Sequence, residues 1–410
     1  MQNSFRRLLL SPSYPKDSYM FMAASFVNST GSALMWPLIT LYVHNILHRS
    51  YGEAGLVLFF QSFASVIGQF VGGGLYYKLG AKKLIIGSLV LQGCGQIGLI
   101  FAKTWYLYIG MMTLNGFLMA ITMPAINAFI GFRWPEHQYR LFNVIYVSNN
   151  AGVALGTTLA GILASISFPL TFLLNGLSTL AFSFFFFVYF RRIDLSDDKH
   201  VNVGLSPYSE ETSTWNLLKN YRLYLFVSLG SLLIWFSTSA WNSGVAPYLN
   251  QEGMSLSSYS FLWTINGLVI LFGQPIVSIY NLFLAKSLGS RLVSSALFYS
   301  IAFLFMWQFH AAYYDFMLGM LVATLGEMLI SPSVPALITQ TTGQSAPFYL
   351  GLVGGFGSVG RLIGPVLFGN LFDYQGISPI LMLTTTSTGL AVLLFAIQRR
   401  FIREKKRING

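Results

Sequence analysis

Two ionisable side chains stand apart from the rest of this sequence by where they fall. Glu327 lies in the run Thr324-Leu325-Gly326-Glu327-Met328-Leu329-Ile330-Ser331-Pro332, and Arg361 follows the glycine-rich run Gly354-Gly355-Phe356-Gly357-Ser358-Val359-Gly360. Of the 13 acidic residues, Glu327 is the one near the middle of a long apolar segment. A carboxylate at the centre of a bilayer costs about 2.5–3.5 kcal/mol even on the lenient insertion scale. A residue kept there serves a proton, an ion or a partner, and proton exchange is what a proton-coupled carrier needs. Arg361 sits about 13 residues from one end of its segment, and Glu327 about 13 from the opposite end of its own. At about 1.5 Å per residue the two reach the same depth. They can form a structural ion pair, or Arg361 can meet an anionic substrate or line a wet cavity. Depth alone does not fix the helix face.

The elements that must hold these residues are membrane helices. A helix needs about 20 apolar residues to cross the hydrocarbon core. Twelve segments qualify: 19–44, 53–77, 83–102, 105–131, 141–163, 169–190, 223–245, 258–283, 292–310, 314–338, 348–371 and 378–398. They are too long and continuous for barrel strands. The first is too long for a signal-peptide core, so no cleavage is expected. The composition agrees. Of 410 residues, 54% are hydrophobic and 9% charged, with a mean hydropathy of +0.60; a soluble domain carries about 25% charged residues. A soluble enzyme, a nucleic-acid-binding module and a disordered chain are excluded. The single cysteine, Cys94, excludes a disulfide framework and a cysteine-based zinc site.

Lysine and arginine set the expected orientation. With the N-terminus inside, 21 of 24 basic residues fall in inner segments, Arg49 and Lys103 fall outside, and Arg361 lies within a span. Both termini are then cytoplasmic. The net charge of +11 belongs to this bias rather than to nucleic acid, and the basic tail Arg399–Arg407 suits anionic lipid headgroups.

The polar stretch 191–222 reads as a cytoplasmic linker between an N-terminal six-helix bundle, 1–190, and a C-terminal one, 223–410, with its basic tail. An offset of 208 sends Pro124 to Pro332, Gly152 to Gly360, Gly156 to Gly364 and Gly161 to Gly369; an offset of 209 sends Gly80 to Gly289. Repeats with an even number of spans keep one orientation, with a site near the midplane between them and alternating access by rocking.

The loop after span two reads Gly73-Gly74-Leu75-Tyr76-Tyr77-Lys78-Leu79-Gly80-Ala81-Lys82-Lys83. It resembles the major facilitator superfamily signature G-x-L-a-D-r-x-G-r-k, with Gly73, Leu75, Lys78, Gly80 and Lys82 matching and Tyr77 at the usual Asp. The resemblance implies that this loop latches the cytoplasmic side, here without the acid. In span five, Gly152, Gly156, Thr157, Ala160 and Gly161 resemble the antiporter signature G-x-x-x-G-P-x-x-G-G of that superfamily. Span eleven repeats it with Gly360, Gly364, Pro365 and Gly369. Small residues at this spacing let helices approach closely. The resemblance implies that these helices meet between the halves and seal the outer side. Gly326-Glu327 followed by Pro332-Ser333 is similar to a segment of the LmrP-like drug:proton antiporters, which implies a proton and substrate role for Glu327. The second membrane carboxylate of that group is absent from span five, where Ile145 stands beside Tyr146.

Polar, methionine and aromatic residues cluster in spans one, four, seven and ten, which line the cavity in that superfamily. They are Asn28, Ser32, Met35 and Trp36; Asn115, Met119, Met123 and Asn127; Trp235, Ser239, Trp241 and Asn242; Thr324, Met328 and Ser331. Such side chains adapt to varied apolar shapes and can hold cations on ring faces. For any single one of these aromatics, ordinary packing or lipid contact is the better account. Asn143, Tyr146, Asn149 and Asn150 make a polar patch on span five, suited to interhelical hydrogen bonding or to substrate.

His44 and His48 lack a third metal ligand. No nucleotide-binding loop and no nucleophile–base constellation stands out. The expectation is therefore not an enzyme but a proton-coupled exporter of lipophilic small molecules, cationic ones among them. It would have an all-α, twelve-helix major facilitator-type fold and work as a monomer in a bacterial inner membrane. It would need no cofactor beyond the proton gradient; its partners would be its substrate, protons and lipid, with no nucleic acid. The alternatives are a carrier of a metabolite, sugar or lipid that uses Arg361 for an anionic group, and a non-transporting receptor on the same fold.

Overall fold

A computed structural model describes residues 16–35, 38–49, 51–194, 214–254 and 256–408. Trp36 and most of the linker, 195–213, lie outside the described residues. In lipid every backbone polar group must be satisfied within the segment, which leaves helices for long apolar runs. The helices are span one (Lys16–Ala33 and Ile39–Asn45), spans two and three (Tyr51–Gly98), span four (Trp105–Arg133), span five (Gln138–Ile166) and span six (Phe168–Asp194). Span seven is Leu225–Thr238 with Trp241–Val245 and Ala246–Gln251, and span eight is Leu256–Phe272 with Gln274–Phe283. Span nine is Leu288–Gln308, span ten Tyr313–Thr342, span eleven Ala346–Gln375 and span twelve Ser378–Ile408.

By length and apolar composition, seven helical runs among the described residues are candidate spans, or eight with the bent pair in span eight. Two of the seven, Glu53–Phe101 and Tyr313–Gln375, have 49 and 63 residues. At about 1.5 Å per residue each is twice the length a bilayer needs, so each is two spans. The interrupted span one, and span five with its polar first half, complete the twelve. Spans two and three meet at Gly80, whose φ of +72° is a left-handed conformation that a Cβ would disfavour.

Span eight bends by 59° at Gly273, just before Pro275. Proline supplies no N–H to the ladder. At the same bend the Gln274 side chain caps the neighbouring Ile270 carbonyl, its Nε2 donating at 3.1 Å. Span seven contains a π-helical turn, Trp241–Val245; such turns re-aim side chains inside a helix.

The two halves pack alike. In the first, Gly152 and Gly156 press span five onto span one, where an added Cβ would strike the carbonyls of Phe26 and Thr30. In the second, Gly360 and Gly364 press span eleven onto span seven at Leu232, Phe236 and Ser239. These glycines therefore face within their own half rather than across the interface that the resemblance implies. Spacing announces a close helix crossing but does not say which helix is crossed. The surroundings of Gly161 lie outside the described residues.

The end bearing the loop between spans two and three is called here the basic end. There the first half is closed by rings packed around Phe21, mostly edge-to-face: Phe129, Trp134, Phe185, Phe186 and Tyr189, with centroids 4.9–6.0 Å away. Large apolar side chains such as Phe184, Phe272 and Phe283 are exposed on the perimeter, as lipid contact requires.

Candidate functional site

The contacts that join the halves gather toward the basic end. Spans two and eleven cross with almost no side chain between them: a Cβ on Gly73 would stand 2.8 Å from the Pro347 carbonyl, and one on Gly351 2.5 Å from that of Gln69. Beside this crossing, Tyr77 donates to the Gln344 carbonyl at 3.2 Å and accepts from Phe348 N–H at 3.4 Å. The residue in the usual Asp position thus still bridges the halves, using a neutral hydroxyl on one of the free N–H groups at the start of span eleven. Lys78 is exposed and Lys82 partly buried in this loop.

On the other side of the interface, Thr339 of span ten donates to Gln138 of span five at 3.1 Å. Tyr139 accepts from Asn281 at 3.1 Å and lies under the Arg291 guanidinium at 3.9 Å. Farther in, Asn143 donates to Gln274 at 2.8 Å. Deepest of all, the Tyr146 hydroxyl donates to Glu327 Oε1 at 2.9 Å.

Glu327 is held from both sides. Its other oxygen, Oε2, accepts from Asn266 Nδ2 at 3.0 Å, and the same amide donates to Thr324 Oγ1 at 2.9 Å. Thr324 in turn donates to the Met320 carbonyl. The amide thereby uses both of its donors, and the carboxylate receives one donor from each half. Hydrogen bonds to a charged group are worth about 1.5–3 kcal/mol.

Two cavities adjoin this carboxylate. The larger, about 560 Å³, lies between the halves and is walled by spans two, four, five, seven, ten and eleven. Ser62, Ser65, Gln69, Asn127, Asn149 and Tyr146 give it a neutral polar lining, and Met119, Met123, Ile145 and Leu350 an apolar one. The smaller, about 270 Å³, lies within the second half and contains Glu327 together with Trp241, Asn242, Trp263, Asn266 and Tyr299. Trp235 and Arg361 line both. They form the shared wall, with the guanidinium 4.5 Å from the Trp235 ring centroid.

Of the sequence candidates, Met119, Met123, Trp235 and Ser331 line the larger cavity; Trp235, Ser239, Trp241, Asn242, Thr324 and Pro365 line the smaller. Asn28, Met35, Asn115 and Met328 line neither. Met328 is fully buried against Ile270, Val277 and Leu329, because one residue beyond Glu327 the helix has turned by about 100°. Met35 is packed with Ile39, Tyr42 and Phe172, and Asn115 is 4% exposed, beside the tight approach of Gly116 to span two. Glu327 and Arg361 share a cavity wall, but among the described residues no ion pair joins them. Asn266 was missed from sequence, although an amide inside the apolar run Trp263–Phe272 is a signal of the same kind as Glu327. Gln69, Gln274 and Ser65 carry weaker versions of it.

Comparison with known proteins decides the family. The sequence model described as Major Facilitator Superfamily matches residues 21–365. The chain belongs to the major facilitator superfamily. It is 35% identical over 393 residues, 96% of each chain, to the uncharacterized MFS-type transporter YttB of Bacillus subtilis (strain 168). It is 24% identical over 386 residues to the quinolone resistance protein NorA of Staphylococcus aureus, covering 92% of this chain and 95% of that one. Among solved structures, a bacterial homologue of the iron transporter ferroportin in an outward-facing state superimposes with a TM-score of 0.76 at 13% identity, over 94% of this chain and all of the other. The human organic anion transporter MFSD10 (TETRAN) gives 0.69 at 15% identity, with the same coverage. These likenesses establish the twelve-helix fold in two six-helix repeats. The protein is a multi-pass membrane transporter and not an enzyme.

Proposed function

We propose that this transporter is a proton-coupled exporter of lipophilic small molecules that works by alternating access, with Glu327 as the proton site. The observation that carries the reading is the Tyr146–Glu327 hydrogen bond between the halves. A charged Glu327 accepts strongly from a donor on the opposite half. A protonated Glu327 accepts weakly and brings a proton of its own to place. Protonation therefore loosens one of the bonds that holds the halves in this arrangement.

The basic end is the cytoplasmic one by the lysine and arginine bias. The arrangement described here, closed at that end, is then the outward-open state. A proton arriving from outside neutralises Glu327, the halves rock, and the proton leaves to the cytoplasm. Cargo then enters the larger cavity from the inside, and recharging of Glu327 favours return to the outward-open state. The 24% identity to a quinolone resistance protein supports export of drug-like compounds. The N- and C-terminal bundles are the rocking bodies, the protein acts as a monomer in the bacterial cell membrane, and no cofactor beyond the proton gradient takes part.

The test is dye efflux in everted vesicles under an imposed pH gradient, comparing wild type with Glu327→Gln and using an uncharged lipophilic dye, N-phenylnaphthylamine. Gradient-driven transport is expected in the wild type. The Gln variant is expected to bind dye without gradient-driven accumulation. Equal transport by both would reduce Glu327 to a structural residue.

A further inference from the structure

We propose that the cargo carries an anionic group, a carboxylate or its equivalent, which docks on Arg361 in the larger cavity with its lipophilic body beside it. The proposal rests on the transporter reading above and names the substrate class of that site.

Arg361 is set deep within span eleven, beyond the crossing of Gly73 with Gly351, yet its side chain is exposed to the cavity. Among the described residues it makes no ion pair and no hydrogen bond; its neighbour is the face of Trp235. It is the one charged residue among those that line the larger cavity. Guanidinium is a planar fork of five N–H donors. Stacked on a ring, it keeps its edge free for a bidentate acceptor, and carboxylate and phosphate geometry match that edge.

A free cation at this depth is costly to maintain. The carboxylate on the same cavity wall, Glu327, is occupied by Tyr146 and Asn266. The cavity therefore presents an unspent positive charge, with Met119, Met123 and Leu350 to cover an apolar body and Ser62, Asn127 and Asn149 for its polar atoms. A cationic cargo would be repelled there. The anion and the proton also occupy different places. Cargo does not displace the proton from Glu327, and exchange is enforced through the Tyr146 bond between the halves.

The charge has a consequence for energetics. Exporting one anion against entry of one proton moves two positive charges inward. A neutral cargo moves one, and a monovalent cation moves none. An inside-negative potential should accelerate export of the anion most.

The test uses two probes with one fluorophore, dansylglycine (anionic) and dansylcadaverine (cationic), with the full-length protein. Fluorescence titration of purified wild type is expected to show dansylglycine bound at least tenfold more tightly. Arg361→Gln should lose that preference, and Arg361→Lys should retain part of it. In proteoliposomes of neutral and anionic phospholipid, a valinomycin-imposed potential at fixed pH gradient should stimulate dansylglycine movement more than dansylcadaverine movement. This needs no variant and stands even if Arg361→Gln does not fold. Preference for dansylcadaverine, equal binding, binding of neither probe, or an unchanged preference in Arg361→Gln would overturn the proposal. Arg361-dependent dansylglycine binding that no pH gradient converts into transport would uphold the anion site while removing the proton-coupled reading. Gradient-driven dansylcadaverine export without dansylglycine export would do the reverse.

Discussion

Tyr146→Phe removes one oxygen and leaves the ring. In the structure that oxygen donates to Glu327 across the interface at 2.9 Å, while Asn266 holds the other carboxylate oxygen from within the second half. The lost bond is the charged kind, worth about 1.5–3 kcal/mol. If it is absent from the alternative arrangement, its removal shifts the balance of the two arrangements by roughly 10- to 150-fold. The sign follows from the charge. The bond is at full strength while Glu327 is ionised and weakens as falling pH protonates it, so the present arrangement should dominate at high pH and give way at low pH. Tyr146→Phe should abolish most of that pH dependence and resemble the low-pH state throughout. The assay is a distance distribution between spin labels introduced by Ile46→Cys and Phe309→Cys, exposed sites at the end away from the basic end, one in each half, in a Cys94→Ser background. In the wild type the long-distance population should fall with pH. In the variant it should be small at every pH. A variant whose population follows pH as the wild type does would refute the coupling of this bond to the arrangement of the halves.

Widening the crossing of spans two and eleven should act in the same direction. Gly351→Val places atoms where a Cβ alone would stand 2.5 Å from the Gln69 carbonyl, so dye transport should fall at least tenfold with expression maintained. Tyr77→Phe loses two neutral bonds of about 1 kcal/mol each at most and should shift the labelled populations modestly, by less than Tyr146→Phe. Gly80→Ala forces a residue with a Cβ into φ +72°, at a cost of about 1–2 kcal/mol, and should lower the thermal midpoint of the purified protein. Gly74→Ala, with nothing within 4 Å of the added carbon, should leave that midpoint unchanged.

The fold was legible because lipid leaves few choices: long apolar runs, a basic bias and glycines recurring at a fixed offset are signals that packing does not overwrite. Glu327 was legible for the same reason, as a charge where charge is expensive. Its partners were not. Tyr146 stood out within a polar patch, but nothing in the sequence says that span five turns this residue toward span ten. Depth made Arg361 and Glu327 candidates for a pair; the structure sets both in the lining of the smaller cavity, but among the described residues the carboxylate bonds to Tyr146 and Asn266 and the guanidinium lies on Trp235, a choice of partners that sequence spacing does not carry. Met328 failed as a cavity residue through helix geometry, since adjacent positions on a helix face different neighbours. Asn266 was readable in principle, an amide in an apolar run, but amides are common enough in membrane helices that its role emerges only beside Thr324 and Glu327.

The elbow in span eight joins what would otherwise be distant. Its Leu256–Phe272 arm carries Asn266, which grips the carboxylate; its Gln274–Phe283 arm carries Gln274 and Asn281, which grip Asn143 and Tyr139 of the other half. The two arms meet at the 59° bend at Gly273 and would turn about it as a crank. In the proposed proton-coupled cycle, a torque applied at Glu327 would reach the basic-end closure through one piece of chain, without passing through the larger cavity. A stiffer elbow would transmit more of that torque, and a looser one would let the carboxylate change charge while the closure stays still.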